Sequence, residues 1–467
     1  MQQPMSPTRS TLTPSQRQRA FGAVIGAAVG DALGAPFEFR PGGTYRRAFP
    51  QRVLGGHGEM TGGGSFRWGI GEFTDDTQMG MCLTEAMLEA GGYDADVVWR
   101  WFRAWAPTAS DVGVTTRASL AHADWRNVSH IGRSAGNGAL MRAFPLAVAF
   151  IDVSADQRRA VVLHQSALTH GDPAAGWGAW VAVEMMRSAI LGDDPVATVP
   201  ALLDQMPPEV RLQFAPILSV DWQPDTDHHA NGAVWGCLAQ AVWALRTTDS
   251  FEDAVVAAVD LGDDADTVAC VAGALAGARY GVQAIPSRWC TYVNGSITSP
   301  TGTRTYRLDD LQRLTGRLLG LAEPPEQPDE PAAGPTEVAP GVFAASLLGA
   351  TAAPGEWGVV SLCRTGSRFT AHRARRQVFL IDRDDHNPDL GAAVTDAVDA
   401  IDAFLAEGRT VVVHCHGGHS RTGLVLKAWR MRHVGCTERE AHAWLAERWP
   451  ELRDWSAEFR EYLRTVE

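Results

Sequence analysis

Two short segments of the sequence, FTDDTQ and GDDADT, combine carboxylates with hydroxyls in a pattern that suits metal binding. The candidate ligands are Thr74, Asp75, Asp76, Asp264, Asp266 and Thr267. Carboxylates that meet without a countercharge repel one another, and a divalent cation would remove this repulsion. Oxygen ligands with no histidine or cysteine nearby in sequence favour Mg²⁺, Mn²⁺ or Ca²⁺ over zinc. We therefore expect the two segments to meet at one metal site.

Each acidic segment also precedes an apolar helical stretch, so the plainer interpretation is that each one caps a helix. Asp and Thr favour helix N-termini because their oxygens accept backbone N–H groups and their charge suits the helix dipole. A cap needs only one side chain, however, and each segment supplies more than one. The two segments taken together therefore favour the metal site.

A third segment, VVVHCHGGHSRTG at residues 411–423, places five residues between Cys415 and Arg421. A loop of this length at a helix N-terminus can direct its N–H groups at a phosphate. The same positive field and Arg421 would favour the nucleophilic thiolate form of Cys415. The guanidinium could also grip two phosphate oxygens. The alternative is a buried cysteine at the end of a strand, but the strand, loop and helix pattern favours a nucleophile.

The elements that must position these residues differ between the two parts of the chain. Around the acidic segments, NGAVWGCLAQAVWALR and DTVACVAGALAGARYG have helical length, and their small residues permit close helix packing. Around the cysteine, β-branched runs such as WGVVSLC and TVVVHC alternate with helical runs. This alternation is typical of a parallel-type α/β sheet. We therefore predict a mostly α domain followed by an α/β domain.

A proline-rich segment, EPPEQPDEPAAGP at residues 323–335, separates the two domains. Its prolines and acids cannot form the core of a helix or strand, so it reads as an extended linker. The predicted organisation is a disordered N-terminus (1–17), a first domain (18–321), a linker (322–337) and a second domain (338–467).

Composition limits the partners and the location. The 467 residues carry a net charge of −13 and show no basic stripe, which argues against a nucleic-acid surface. Seven cysteines without CxxC spacing suit a reducing compartment. The polar N-terminus lacks the apolar region of a secretory signal, and no long uninterrupted apolar window predicts a membrane span. We expect a cytoplasmic protein that does not associate with membranes.

The N-terminal part resembles the ADP-ribosylglycohydrolase family, the group related to the dinitrogenase reductase-activating glycohydrolase, over roughly residues 18–321. The motifs that carry the resemblance are GDALG at 30–34 with Glu38, TDDT at 74–77, SAGNGALMRAFP at 134–145, THGDP around His170, and GDDADT followed by IPSRW. The resemblance implies an all-helical fold with a centre of two metal ions, usually Mg²⁺ or Mn²⁺. The family's metal-ligand positions fall on the six candidate ligands named above.

The resemblance also assigns roles beyond the metal ligands. Glu38 falls at the acidic position that assists catalysis, and it could act as acid or base at the scissile bond. The ADP-ribose contacts fall on Gly136, Asn137, Gly138 and His170. Taken alone, the Gly-Asn-Gly loop would more simply be a turn, and the histidine a core residue. The loop could offer backbone N–H groups to a pyrophosphate or ribose.

One departure concerns the second acidic segment. Members of the family often have the motif Gly-Gly-Asp-x-Asp-Thr at this position. In this sequence Asp263 replaces the second glycine. This adds a charge beside the candidate ligands, of which we favour Asp264 and Asp266.

The C-terminal part resembles the cysteine-based dual-specificity and tyrosine phosphatases over roughly residues 338–467. The resemblance implies that Cys415 is the nucleophile, that Arg421 and Gly418 contact phosphate, and that Thr422 helps the intermediate break down. These enzymes need a general acid for the leaving oxygen. The segment LIDRDDHNPDL at residues 380–390 falls where the acid loop lies, and Asp384 matches best, with Asp385 and Asp382 as substitutes. The alternative is a solvated acidic turn.

The sequence therefore predicts a bifunctional hydrolase. Its substrates would be an ADP-ribosylated protein or an ADP-ribose-containing small molecule, and a phosphorylated compound. One alternative is a helical domain that senses ADP-ribose or a nucleotide and regulates a phosphatase. Another is an active glycohydrolase whose second domain only docks phosphoproteins. A structural role is the third, and the complete set of metal-site residues argues against it. The group that carries ADP-ribose stays open, because fold and motif do not fix a leaving group.

Overall fold

The structure, a computed structural model, describes residues 11–128, 135–224, 230–322, 333–366 and 368–467. The chain divides into two compact units. Unit 1 comprises Met1–Gln51, Met60–Val282 and Tyr292–Glu323, and unit 2 comprises Arg52–Glu59, Gln283–Thr291 and Pro324–Glu467.

Unit 1 is helical, as predicted, with one added β-hairpin. Its helices are α1 (Pro14–Gly34), α2 (Thr44–Ala48), α3 (Asp75–Ala90), α4 (Ala95–Trp105), α5 (Val114–Leu120), α6 (Gly138–Met141), α7 (Phe144–Ala149), α8 (Ala155–Ala167), α9 (Pro173–Leu191), α10 (Val199–Leu203), α11 (Pro208–Phe214), α12 (Val234–Arg246), α13 (Phe251–Val259) and α14 (Ala265–Tyr280). After α15 (Ser287–Cys290) of unit 2, the antiparallel strands β1 (Asn294–Ser299) and β2 (Gly302–Arg307) lead into α16 (Leu308–Leu318) of unit 1.

The central contact of unit 1 joins α1 to α14 through glycines. Gly22, Gly26, Gly30 and Gly34 recur every four residues and share one face of α1. A Cβ on Gly22, Gly26 or Gly30 would overlap a backbone carbonyl of α14, and one on Gly34 would overlap the backbone at Asp266. The two backbones therefore touch directly. This close approach brings the C-terminal end of α1 beside the N-terminal end of α14, where acidic residues lie.

Helix α1 also contains a long apolar segment. Among the described residues, Pro14–Phe37 is the one helical stretch long and apolar enough to span a membrane, judged by length and composition alone. Of its most apolar window, 94% is buried inside the protein. The stretch therefore has the surroundings of a core helix.

The predicted disordered N-terminus (1–17) is wrong in its last part, and residues 1–10 lie outside the described residues. Helix α1 begins at Pro14, because Thr13 and Gln16 form a capping box in which each side chain accepts the other's backbone N–H. Proline at the first helical position adds to this start signal. The TPSQ segment contains this start signal, so the ordered first domain begins earlier than the predicted residue 18.

Unit 2 contains a five-stranded mixed sheet. Its strands are β3 (Thr336–Ala339), β4 (Val342–Ser346), β5 (Gly358–Ser361), β6 (Arg375–Gln377) and β7 (Val411–Cys415). Its remaining helices are α17 (Leu347–Ala350), α18 (Leu390–Ala406), α19 (Ser420–Val434), α20 (Glu438–Arg448) and α21 (Ala457–Thr465). The strand order is β3-β4-β7-β5-β6, and every pair is parallel except the edge pair β3 and β4. The predicted α/β fold is confirmed, with the antiparallel edge strand as an addition.

Strand β7 occupies the centre of this sheet, and all five of its residues are buried. Val411 and Val413 join the core cluster that includes α18 and α19, whereas Val412 joins a second cluster on the opposite face. A strand buried on both faces explains the continuous apolar run in the sequence. It also fixes the position of Cys415 at the carboxyl end of the sheet.

The predicted boundaries differ from the two units in two respects. Residues 52–59 and 283–291 belong to unit 2, where the Gly56 N–H donates to Glu407 and the Ser287 N–H donates to Asp396. Such long-range contacts leave no mark in local composition. Of the predicted linker (322–337), residues 323–332 lie outside the described residues, and its last two residues already belong to β3.

Candidate functional site

The acidic site of unit 1 begins where α3 meets α1. Asp31 of α1 accepts the backbone N–H of Thr74 at 2.9 Å and that of Thr77 at 3.0 Å, and it also accepts the Thr77 hydroxyl at 2.5 Å. One carboxylate therefore satisfies the free N–H groups at the start of a neighbouring helix. These bonds hold the first turn of α3, with Asp75 and Asp76, against the end of α1.

The second acidic segment reaches the same place through α14. Asp266 lies in the first turn of α14, beside the point where Gly34 touches the α14 backbone. Carboxylate oxygens of Asp31, Asp76 and Asp266 lie within 4.8 Å of one another. The Thr267 hydroxyl donates to Asp76 at 3.4 Å, and the Thr74 hydroxyl donates to the same oxygen at 3.0 Å. The two segments thus meet at a single site.

Glu38 joins the site from the turn that follows α1. The Phe39 N–H donates to the carbonyl of Asp263 at 2.6 Å, and the Asp263 N–H donates to the carbonyl of Arg40 at 2.8 Å. This short antiparallel bridge joins the turn after α1 to the turn before α14. Carboxylate oxygens of Glu38, Asp264 and Asp266 consequently lie within 4.8 Å of one another.

Burial makes this concentration of carboxylates electrostatically costly. Burial, followed by the neighbouring carboxylates, raises the pKa of Asp76 and that of Asp266 well above the ordinary value. Burial raises the pKa of Asp31 to about 6, although the bonds from Thr77 and Thr74 oppose the shift. Burial and then Asp111 raise the pKa of Glu38 to about 9. The site therefore requires either protons or a positive counterion.

Two buried carboxylate oxygens of the site would suit a bound cation. Asp76 Oδ1 and Glu38 Oε2 are buried without a hydrogen-bond partner among the described residues. A buried carboxylate oxygen without a partner is costly, and coordination of a cation would compensate for it. All the candidate metal ligands in the site are carboxylate or hydroxyl oxygens, which suit a hard divalent cation. The residues present therefore fit the divalent metal on which the predicted chemistry depends.

Asp111 and Asn231 are members of the site that sequence reasoning missed. Asp111 is half-buried, and its charge is the largest after burial among the causes that raise the pKa of Asp75 and Glu38. The Asn231 Oδ1 accepts the Asp264 N–H at 3.2 Å, and its Nδ2 donates to the Gly262 carbonyl at 3.0 Å. Neither residue stands in a segment whose local pattern indicates a site. Asp31 lies within the GDALG motif, but the sequence pattern alone did not indicate a role for it.

The departure at Asp263 has a conformational explanation. Its φ is +52°, in the left-handed region that glycine adopts without strain and that aspartate tolerates better than most residues. Its side chain is exposed, whereas Asp264 is half-buried and Asp266 is buried. The geometry thus agrees with the preference for Asp264 and Asp266 as ligands, and their roles stay predictions.

The Gly-Asn-Gly loop and His170 do lie together. A Cβ on Gly138 would lie 2.9 Å from His170 Cε1, so the ring packs directly on the loop backbone. The Asn137 Nδ2 donates to Asp264 at 2.7 Å, which ties the loop to the acidic site. The Asn137 N–H, however, donates to the Gly232 carbonyl at 3.2 Å. That N–H group is therefore occupied, contrary to the expectation that the whole loop offers free N–H groups.

His170 is oriented by a buried arginine. The Arg142 Nη2 donates to the Thr169 hydroxyl at 2.8 Å, and that hydroxyl lies 2.8 Å from His170 Nδ1. The Thr169 hydroxyl thus links the buried Arg142 to His170 Nδ1. The other ring nitrogen, Nε2, faces Gly136 and Gly138.

The second site surrounds Cys415 at the end of β7 in unit 2. Cys415 is buried, and the chain turns through Gly418, with φ +75°, into α19. A Cβ on Gly418 would lie 2.9 Å from the Ala345 carbonyl oxygen, so only glycine fits both the turn and the space. The Trp449 indole N–H donates to the Gly418 carbonyl at 2.8 Å. The loop is thus fixed from both sides at the N-terminus of α19.

The predicted partners Arg421 and Thr422 lie in the first turn of α19, shortly after Cys415 in the chain. Arg421 Nη1 donates to the carbonyls of Leu362 at 2.8 Å and Leu380 at 3.2 Å, and its Nε is buried without a partner among the described residues. The Thr422 hydroxyl is buried and likewise without a described partner. Burial lowers the pKa of His414 to about 3, so its ring stays neutral, and Nε2 lies 2.7 Å from the Ser361 hydroxyl.

The preference for Asp384 as general acid conflicts with the structure. Asp384 accepts the Ser456 hydroxyl at 2.6 Å and the Glu458 N–H at 3.1 Å at the start of α21. These bonds lower its pKa, which favours the ionised form that cannot donate a proton. Asp382 is half-buried, and its Oδ1 is buried without a described partner. It also lies two residues after Leu380, whose carbonyl contacts Arg421.

Comparisons with known proteins agree with this division. Residues 12–328 match the model of the ADP-ribosylglycohydrolase family, and residues 359–466 match that of the dual specificity phosphatase catalytic domain. The ADP-ribosylarginine hydrolase Tri1 of Pseudomonas putida (strain GB-1) is 33% identical over 65% of this chain and 83% of its own length. The ADP-ribosyl-[dinitrogen reductase] glycohydrolase of Rhodospirillum rubrum is 32% identical over 66% of this chain and 98% of its own.

A solved structure described as an ADP-ribosylglycohydrolase-related protein complex is also similar to this chain. It is 30% identical, with a TM-score of 0.55, and the match covers 66% of this chain and 99% of the other. The fold, the acidic site and these matches together define the class of protein. The chain belongs to the ADP-ribosylglycohydrolase family and carries a dual specificity phosphatase domain at its C-terminal end. It is therefore a hydrolase.

Proposed function

We propose that unit 1 hydrolyses the bond between ADP-ribose and the guanidino group of arginine, with two divalent cations, Mg²⁺ or Mn²⁺. The observation that carries this proposal is the meeting of Asp31, Asp76 and Asp266 from three helices, with a buried carboxylate oxygen left unpartnered. Arginine is preferred because the relative from P. putida is named an ADP-ribosylarginine hydrolase.

Two overlapping groups of carboxylates support the proposal of two cations. One group contains Asp31 and Asp76, the other contains Asp264 beside the proposed proton carrier Glu38, and Asp266 belongs to both. Bound cations would hold the ribose hydroxyls beside the anomeric carbon and polarise a water. Asp31 contributes in a second way, since it also fixes the first turn of α3.

Glu38 is the residue of this chain that can move the proton. Its carboxyl reaches the site from a turn of its own, and one oxygen is free of hydrogen bonds to described residues. Water adds to the anomeric carbon as the carbon–nitrogen bond breaks. The leaving guanidine nitrogen takes a proton from Glu38, and the attacking water returns one to it. Asn137 contacts Asp264 and His170 packs on the same loop, so we place the rest of ADP-ribose along this loop.

The first experiment measures release of free ADP-ribose from ADP-ribosyl-arginine and ADP-ribosyl-serine peptides, with Mg²⁺ or Mn²⁺ and with EDTA. We expect metal-dependent release from the arginine peptide, lost in Asp266→Asn. The matched control is Asp263→Asn, because that side chain is exposed. Release from serine alone would overturn the choice of acceptor. Binding of ADP-ribose without release from either peptide would favour the sensor alternative.

For unit 2, we propose phosphate-ester hydrolysis through Cys415. The thiolate attacks phosphorus, and the ester oxygen leaves with a proton from an aspartic acid. Water then cleaves the thiophosphate, which releases inorganic phosphate and restores the thiolate. The unpartnered Arg421 Nε and Thr422 hydroxyl support the proposal, because both are buried polar groups in need of an acceptor or donor.

We propose Asp382 as the general acid in place of Asp384. A general acid matters most when the leaving group is poor, so alkyl and aryl phosphates separate the two residues. Asp382→Asn should slow hydrolysis of an alkyl phosphate far more than that of p-nitrophenyl phosphate. Asp384→Asn, which removes only the charge that accepts the Ser456 and Glu458 bonds, should slow both substrates equally. Equal losses for Asp382→Asn would return the role to another residue.

Joining both domains in one chain supports a shared substrate or pathway. We propose this link, together with a cytoplasmic location, for which seven cysteines without CxxC spacing give support. Rates that do not change when the two domains are separated would count against the shared substrate.

A further inference from the structure

Phe39 is an aromatic residue exposed beside the proposed catalytic acid. Among the large apolar side chains that the described residues leave exposed, the aromatic ones are Phe39 and Trp455, each with 63% of its surface accessible. Phe39 directly follows Glu38, which is 5% exposed. A solvent-exposed phenyl ring therefore directly follows, in the chain, a buried carboxyl group of the acidic site.

The backbone holds this ring outward against a conformational preference. The φ of Phe39 is +61°, in the left-handed region that a bulky residue rarely adopts. The Phe39 N–H donates to the Asp263 carbonyl, and Asp263 is itself left-handed. The two turns thus fix each other, and the chain keeps phenylalanine where glycine or asparagine would be less strained. Such positions persist where the surroundings enforce them, and they are enriched at ligand sites.

A row of aromatic rings supports Phe39 from one side. Its ring centroid lies 6.4 Å from that of Phe66, and the Phe66 centroid lies 5.7 Å from that of Trp68. Trp68 is buried and Phe66 is half-buried, so the row runs from the interior to the exposed phenyl ring. The ring of Phe39 is thereby anchored on one side and open on the other.

We propose that the open face of Phe39 binds the guanidinium group of ADP-ribosyl-arginine by a cation–π contact. This inference rests on the proposed function of unit 1. The scissile bond must lie beside Glu38, so the group attached to it occupies the adjoining space. A guanidinium is a planar cation that stacks on aromatic faces. The half-buried carboxylate of Asp111, whose charge also acts on Glu38, makes the same space attractive to a cation.

Adenine is the other planar group of the substrate, but it is a poorer match. It is separated from the scissile bond by two riboses and a pyrophosphate, whereas Phe39 adjoins the catalytic acid. Adenine also carries no positive charge to benefit from the surrounding carboxylates. Phe39 is therefore assigned to recognition of the acceptor and not of ADP-ribose itself.

The test compares Phe39→Leu and Phe39→Tyr with the wild-type chain in the presence of Mn²⁺. Two quantities are measured, kcat/KM for ADP-ribosyl-arginine and the Kd of free ADP-ribose, which lacks the acceptor. Phe39→Leu should lower kcat/KM about 3- to 30-fold, the range expected for one cation–π contact. Phe39→Tyr should retain activity, and the Kd of ADP-ribose should stay within about twofold in both.

Trp455→Ala serves as the control, because it removes an equally exposed aromatic residue from unit 2. It should leave kcat/KM for ADP-ribosyl-arginine unchanged. A parallel loss of ADP-ribose affinity in Phe39→Leu would place the ring at adenine and overturn the proposal, as would an unchanged kcat/KM. Failure of the wild-type chain to cleave ADP-ribosyl-arginine would instead refute the proposed function on which this inference depends.

Discussion

The acidic site and the cysteine loop solve the same problem, the placement of reactive groups, in opposite ways. The cysteine loop takes its nucleophile, its arginine and its hydroxyl from eight consecutive residues, 415–422. The acidic site takes its carboxylates from α1, α3 and α14 and from the turns between them. The residues of the cysteine loop lie in a single segment, whereas the acidic site forms only when the helices pack.

This difference determines what holds each site together. In the cysteine loop, chain connectivity and the start of α19 fix most of the geometry. In the acidic site, backbone contact between α1 and α14 carries the positioning, because their glycines allow Asp31 and Asp266 to approach. A substitution in the cysteine loop should therefore affect only the activity of that loop. A substitution at the contact between α1 and α14 should disrupt the acidic site and destabilise unit 1 at the same time.

The largest expected effect is the loss of phosphate-ester hydrolysis when the nucleophile of the cysteine loop is replaced. Cys415→Ser should reduce phosphate-ester hydrolysis by a factor on the order of 10⁴ or more, since the nucleophile is removed. Release of ADP-ribose should be unchanged, and the melting temperature should differ little. Parallel assays of both activities check this, with Cys436→Ser, a half-buried cysteine outside the loop, as control. Loss of both activities would break the distinction between the sites.

A second prediction concerns pH and metal removal at the acidic site. The pKa of Asp31 is raised from 3.8 to about 6, and that of Glu38 from 4.5 to about 9. A raised carboxyl pKa contributes stability below the unfolded value and loses it as pH rises through the folded value. Metal-free unit 1 should therefore melt at progressively lower temperature from pH 5 to pH 9, with a loss of about 1.4 kcal/mol from Asp31 alone over this range.

Added Mn²⁺ should flatten or reverse this slope, because cations bind the ionised carboxylates. Thermal melts with EDTA and with Mn²⁺ across this pH range measure the difference. Parallel curves under both conditions would contradict a metal site built from these residues.

The helix contact gives the third prediction. A Cβ at Gly30 would overlap the Ala269 carbonyl, so Gly30→Ala should destabilise unit 1 by about 1–3 kcal/mol and weaken metal binding with it. Gly316→Ala is the control, since a Cβ on that helical glycine would lie 3.9 Å from a ring atom of Phe21, an ordinary contact distance. It should be neutral or stabilising by up to about 1 kcal/mol. Chemical denaturation of both variants separates the two outcomes.

The smallest effect is expected at the edge of the cysteine loop. The Trp449 indole N–H binds the Gly418 carbonyl, and in a planar trans peptide this also fixes the direction of the following N–H. Trp449→Phe removes this indole hydrogen bond. The loss should cost about 0.5–1.5 kcal/mol and raise KM for a phosphate ester about 2- to 10-fold. Trp429→Phe loses a similar indole bond, to Asp402 at 2.9 Å, away from the loop. An equal KM change in both variants would show that the effect is not positional.

The same contrast explains how much the sequence could predict. The helical and α/β folds were readable from periodicity and small-residue content, and Cys415 and Arg421 from spacing alone. Asp111 and Asn231 could not be found, because each lies far in sequence from the residues it contacts. Asp384 was preferred by its distance from Leu390, but its capping of α21 depends on a helix that begins 73 residues later in the chain, at Ala457.

The most direct test of the account is calorimetric titration of Mn²⁺ into the metal-free chain, with three aspartate variants compared. The wild-type chain and Asp263→Asn should bind equally. Asp31→Asn and Asp266→Asn should lose at least about 100-fold in affinity, more than the loss typical of an outer-shell partner. Binding that survives in Asp31→Asn and Asp266→Asn, or that disappears in Asp263→Asn, would contradict a metal site assembled by the packing of α1, α3 and α14.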